Sequence, residues 1–142
     1  LRRELDESIR PLPGVRCTLG RLARMNLVFG ILSDTELTAD QLQARLAGFA
    51  PFLEFRAVVS SFDLGRTKPH PECYRAALAQ MRLDAAEVAF VGHDAAELAG
   101  ARAVGMSTIA LSDSPDAEAD LHLDRFDQLA DVISLPRSAA AA

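Results

Sequence analysis

The stretch Val88-Ala89-Phe90-Val91-Gly92-His93-Asp94-Ala95-Ala96-Glu97-Leu98 decides how this chain folds. It opens with a run of apolar residues that has the length and character of a buried strand. It breaks at Gly92 and then presents His93, Asp94 and Glu97 in quick succession. Leu98 to Val104 is mostly apolar with good helix formers, and Gly105 stands where a helix would stop. Strand, polar turn and helix make a βα unit. In an open parallel sheet, ligands bind outside the carboxyl ends of the strands. This stretch therefore sets an imidazole and two carboxylates where such a sheet keeps its chemistry.

Upstream of it the same alternation repeats. Leu1 to Ile9 has apolar residues at an i, i+4 spacing and reads as helix already under way at Leu1, which implies sequence before it. Pro11-Leu12-Pro13-Gly14 ends that helix. Val15, Leu19, Leu22 and Ala23 form the next helical stripe. Leu27 to Leu32 is a continuous apolar strand of the kind buried on both faces in parallel sheets, with Ser33-Asp34-Thr35 at its carboxyl end. Thr38-Ala39-Asp40-Gln41 matches a capping box that opens a helix to about Ala47. Phe55 to Ser60 is a further strand around Ala57-Val58-Val59, and Ser61 to Pro71 reads as a polar loop containing Lys68. Pro71 and Glu72 suit the first turn of a helix to about Met81.

Downstream, Ser107 to Leu111 reads as a strand and Leu121-His122-Leu123 as a short edge strand. Phe126 to Ile133 has helical spacing, and the end of the chain is an alanine-rich tail expected to fray. The expected fold class is α/β, a Rossmann-like parallel sheet with flanking helices. Residues 1–10 read as the end of a helical segment, 11–135 as the α/β core and 136–142 as a disordered tail.

Composition narrows the function. The 142 residues are 49% hydrophobic, enough for one domain with a real core. A net charge of -5 argues against nucleic acid as partner, and no apolar run approaches a membrane span. Cys17 and Cys73 are too few and too far apart for a disulfide framework. They read as reduced thiols of a cytoplasmic protein.

Right-handed crossovers put the carboxyl ends of the strands on one edge. Ser33, Lys68 and the acids from Asp94 to Glu97 then meet there. That set suits a phosphate: donors for its oxygens, a cation for its charge, and carboxylates for a bridging metal. Each residue also has an ordinary reading. A strand-end serine bonds backbone, and a loop lysine is solvated. His93 caps a helix or bonds a backbone group. Asp94 and Glu97 are favourable charges at a helix N-terminus.

Taken in order, these pieces resemble the haloacid dehalogenase-like (HAD) superfamily, which is mostly Mg-dependent phosphatases, and its phosphoglycolate-phosphatase-like branch. Leu32-Ser33-Asp34 is similar to the second family motif and Lys68-Pro69 to the third. Val91 to Glu97, with Gly100-Ala101-Arg102-Ala103-Val104-Gly105-Met106, is similar to the fourth. The likeness runs from about Pro11 to Ile133. It implies a small phosphorylated substrate, an aspartate nucleophile and an aspartyl-phosphate intermediate. Ser33 and Lys68 would be catalytic, with Asp34 beside them at the phosphate, and His93, Asp94 and Glu97 would hold Mg2+.

Two departures stand out. The family's first motif, an aspartate-rich turn after an N-terminal strand, is absent from these residues, since Asp34 and Asp63 follow other strands. The resemblance thus places the nucleophile, its strand and the cap domain upstream. His93 also stands where the family usually has an aspartate, and hard cations prefer oxygen to imidazole. Two functions remain open: the core of a phosphatase, or a non-catalytic binding or regulatory module. A dehalogenase, which needs no metal, fits the acidic fourth motif less well.

Overall fold

The computed structural model describes residues 14–111 and 116–133. The expected helix over residues 1–10 and the tail over 136–142 lie outside them. The chain alternates helix and strand: α1 (Val15–Ala23), β1 (Phe29–Ser33), α2 (Ala39–Phe49), β2 (Phe55–Ser60), α3 (Ser61–Leu64) and α4 (Pro71–Met81). A 3-10 turn at Ala85–Glu87 leads into β3 (Ala89–Gly92), α5 (Ala95–Ala103), β4 (Ser107–Leu111), β5 (Leu121–Leu123) and α6 (Gln128–Ile133). This is the α/β architecture expected, with all strand pairs parallel.

Local chemistry accounts for the helix boundaries. Thr38 and Gln41 form the capping box read from the sequence. At α4, Pro71 occupies the first turn and His70 Nδ1 accepts a hydrogen bond from the Glu72 amide at 3.2 Å. His70 is thus the N-cap of α4. Gly105 stops the α5 segment with a φ of +99°, a conformation that suits glycine. The polar loop expected from Ser61 to Pro71 begins instead with α3. Ser60 Oγ accepts from the Phe62 amide and so starts a helical turn too short for sequence periodicity to register.

β1 pairs with β2, setting Ile31 beside Val58 and Ser33 beside Ser60. β3 pairs with β4, setting Val91 beside Ile109, and β4 pairs with β5. Among the described residues these are two separate sheets, β1-β2 and β3-β4-β5. They nevertheless share cores. On one face Leu22, Ile109, Leu123, Leu129 and Ala130 gather Phe29 of β1 and Val91 of β3. On the other, Cys73, Tyr74, Ala101 and Met106 gather Leu32 of β1 and Phe90 of β3. Apolar packing thus holds β1 and β3 in one layer between helices, although no ladder joins them.

Candidate active site

The carboxyl ends of β1 and β3 and the loop after β2 meet at Lys68. Its backbone amide donates to Asp34 Oδ1 at 3.1 Å, which ties it to the turn after β1. Its ammonium lies 3.2 Å from Glu97 Oε2 on α5. The Lys68 and Glu97 side chains are only 12% and 22% exposed, so solvent screens this pair far less than a surface one. The ammonium also sits 5.9 Å from the centre of the Phe90 ring, within reach of its π face. Ser33 is half-buried at the end of β1, and Asp34, one residue on, is exposed. Asp34, Lys68 and Glu97 thus come together from the three segments singled out in the sequence.

His93 and Asp94 lie at the start of the next turn, both exposed. Asp94 is the N-cap of α5: its Oδ1 accepts from the Glu97 amide at 3.0 Å. One carboxylate therefore turns back to its own helix while the next faces a lysine. Among the described residues no group of three or more His, Cys, Asp or Glu side chains is arranged to hold a metal. His93, Asp94 and Glu97 do not by themselves make the oxygen-rich shell that Mg2+ requires.

Tyr74 is the residue whose part at this edge the sequence did not reveal. It is fully buried, with its ring edge-on to Phe90 at 5.5 Å. Its hydroxyl also donates to the Glu97 carbonyl at 2.6 Å, which ties α4 to the first turn of α5. Burial, and secondarily the Glu97 charge, push the Tyr74 phenol well above its ordinary value of 10.0. A raised folded-state value means that the unfolded chain releases the proton first. Stability from this group is then complete below about pH 10 and is lost as pH rises further. Tyr74 is the sole tyrosine of these 142 residues, and the difference between the parent's ultraviolet ionisation band and that of Tyr74→Phe reports on it alone. We expect that band to appear together with alkaline unfolding, and Tyr74→Phe to reduce the alkaline loss of stability. Free titration of Tyr74 in the folded protein near its ordinary value would contradict this.

Gly100 permits the close approach of α5 to this corner. A Cβ there would lie 2.7 Å from Pro69 Cβ, 2.7 Å from the Tyr74 hydroxyl and 2.9 Å from the Pro69 carbonyl oxygen. Gly100→Ala is therefore expected to destabilise the protein by about 1–3 kcal/mol, the usual cost of overpacking. A denaturant midpoint equal to the parent's would show that the corner has room to spare.

A serine, a partly buried lysine and an acidic turn thus lie at the carboxyl edge of a parallel α/β layer. The sequence pattern of the haloacid dehalogenase-like hydrolases matches residues 2–105, and the chain belongs to that family. It is 31% identical over 133 residues to a glyceraldehyde 3-phosphate phosphatase from Methanocaldococcus jannaschii, covering 88% of this chain and 57% of that protein. A 2-haloacid dehalogenase structure from Pseudomonas syringae superposes with a TM-score of 0.74 at 26% identity, covering 89% of this chain and 54% of that one. A HAD phosphatase structure from Thermococcus onnurineus does so with a TM-score of 0.74 at 21% identity, over 88% and 59%, a likeness of fold. The chain spans about half the length of the curated relatives it matches. Among the described residues no helix is long and apolar enough to cross a membrane.

Proposed function

We propose that the whole protein hydrolyses the phosphomonoester of a small metabolite through an aspartyl-phosphate, and that this chain supplies the phosphate-binding half of the site. The observation that carries this reading is Lys68, held by its amide to Asp34 and by its ammonium to Glu97. A lysine so placed, with little solvent around it, is a fixed cation for a phosphoryl group. Ser33 donates a hydrogen bond to a phosphoryl oxygen, and Lys68 neutralises charge on the phosphate and on the attacking carboxylate. Phosphoryl transfer depends mainly on positioning and electrostatics of this kind. The nucleophile belongs to a strand lying between β1 and β3. Its carboxylate bonds to phosphorus as the bond to the ester oxygen breaks, and that oxygen leaves as an alcohol with a proton from a second aspartate; water, giving its proton back to that aspartate, then cleaves the acyl phosphate to inorganic phosphate and the free carboxylate. The phosphatase relatives support this chemistry.

Turnover of an aryl phosphate and a panel of small phosphorylated metabolites by the whole protein tests the proposal. Phosphate release supports it. Turnover of a 2-haloacid alone, or of nothing in either panel, would overturn it.

Mg2+ belongs to the same proposal, with oxygen ligands beyond His93, Asp94 and Glu97 needed to complete its shell. His93→Asp adds a hard oxygen donor at the end of β3. We expect it to lower the Mg2+ concentration at half-maximal activity by about tenfold, the scale of one added charged contact. An unchanged half-saturation point would mean that this position does not touch the metal.

A further inference from the structure

The turn that carries Ser33 and Asp34 is held from outside its own segment. Ser61 Oγ accepts from the Thr35 amide at 2.8 Å and donates to the Thr35 carbonyl at 3.0 Å, so a single hydroxyl brackets one residue on both sides. Ser60 Oγ donates to the Leu37 carbonyl. Asp63 Oδ2 accepts from the Ala39 amide at 2.7 Å. Within the turn, Thr35 Oγ1 accepts from the Leu37 amide at 3.2 Å. On the far side, Asp34 Oδ1 receives the Lys68 amide. Asp34 is thus fixed between Thr35, bracketed by Ser61, and the backbone of the residue that carries the ammonium.

These bonds exceed what the local structure needs. The capping box of Thr38 and Gln41 already starts α2, so Asp63 is not required to begin that helix. What the Asp63 bond adds is a fixed relation between the turn after β1 and the one after β2. Gln80 does similar work at a distance from the site, receiving the Val58 amide on β2 at 3.0 Å, and shows that side chains tie backbone elsewhere in this sheet too. At Ser60, Ser61 and Asp63, by contrast, the side-chain bonds that leave their own segment reach Thr35, Leu37 and Ala39, on the stretch that leads directly from Ser33.

We propose that Ser61 and Asp63 are positioning residues that set the Ser33–Asp34 turn against Lys68, and so fix the spacing between the hydroxyl and the cation that hold a phosphoryl group. The proposal rests on the phosphate reading of that edge. Neither side chain touches substrate. Each acts through the backbone it holds.

The test uses the whole protein, an aryl phosphate as substrate and inorganic phosphate as competitive inhibitor. Ser61→Ala is expected to raise the KM and the phosphate inhibition constant together by about fivefold to tenfold, the loss of one or two hydrogen bonds of alignment. Ser61→Thr, which keeps the hydroxyl, should restore both. Asp63→Ala should act in the same direction, with Asp63→Asn restoring the acceptor. A defect that merely lowers the folded fraction reduces apparent kcat and leaves both constants unchanged, and that result would overturn the proposal. Should Ser61→Ala fail to fold, the Asp63 pair decides by the same criterion. A parent protein that neither turns over aryl phosphate nor binds inorganic phosphate would defeat the phosphate reading itself. A parent that does both, with variants that match it, would defeat the positioning role alone.

Discussion

The whole protein carrying Lys68→Ala is expected to lose aryl-phosphate turnover by about a thousandfold or more, the upper range seen when a preorganised charge-stabilising group is removed. The size of the effect follows from burial. With its side chain 12% exposed, the ammonium acts in a medium where a charge counts for more than in water. The same substitution leaves the Glu97 carboxylate facing the substrate edge without its partner, so a phosphate approaching there meets repulsion in place of attraction. Glu97→Gln removes the pair but keeps the cation; saturating Mg2+ offsets any loss that comes from its place in the proposed metal shell, and under that condition its loss of turnover should be much smaller. The pair of variants separates a need for the ammonium from a need for the bridge. A melting curve on each distinguishes lost chemistry from lost fold. Full retained turnover by Lys68→Ala would remove Lys68 from the mechanism.

The second large effect concerns stability. β1 and β3 are each paired on one side only among the described residues, yet they share apolar cores on both faces of the layer. Each buried backbone group left without a partner costs about 1–3 kcal/mol. Several together rival the whole stability of a typical domain, about 5–15 kcal/mol. A strand inserted between β1 and β3 would satisfy both rows at once. The 142-residue polypeptide made alone is therefore expected to melt well below the whole protein, or to associate through those edges as concentration rises. It should also show no phosphatase activity above a Lys68→Ala control. A monomeric, cooperative melt matching that of the whole protein would contradict the account of the sheet.

How much of this was legible in the sequence depended on the range of the interaction concerned. The strands were legible because parallel sheets demand continuous apolar runs, and Ala57-Val58-Val59 is such a run: all three residues are buried in β2. The order of those runs, alternating with helices, carried the parallel sheet, and the structure supplies the pairing of β1 with β2 and of β3 with β4. The helix over Pro71–Met81 was marked by its own proline, and α2 by its own capping box. Ser33 and Glu97 could be singled out because position just past a strand is itself a sequence property, and Lys68 because a proline follows it in the loop after β2.

What stayed hidden was decided by the third dimension. Ser61 and Asp63 lie in what reads as ordinary loop, and nothing local says that their partners are Thr35 and Ala39. Tyr74 has the spacing of a packing residue, and only the approach of α5 brings its hydroxyl to the Glu97 carbonyl. Asp94 and Glu97, three residues apart on one helix start, look alike in sequence. The structure gives one to the helix cap and the other to Lys68, and the difference rests on side-chain direction alone.

The phosphate reading requires that this chain supply the phosphate-binding half of a phosphatase site and that the nucleophile lie on a strand inserted between β1 and β3. Peptide mapping by mass spectrometry of the whole protein, quenched in acid during turnover of an aryl phosphate, tests it most directly. A phosphoryl adduct is expected on a single aspartate outside these 142 residues, present in the parent and lost in Lys68→Ala. An adduct on Asp34, Asp63 or Asp94, or steady turnover with no aspartyl adduct at all, would contradict it.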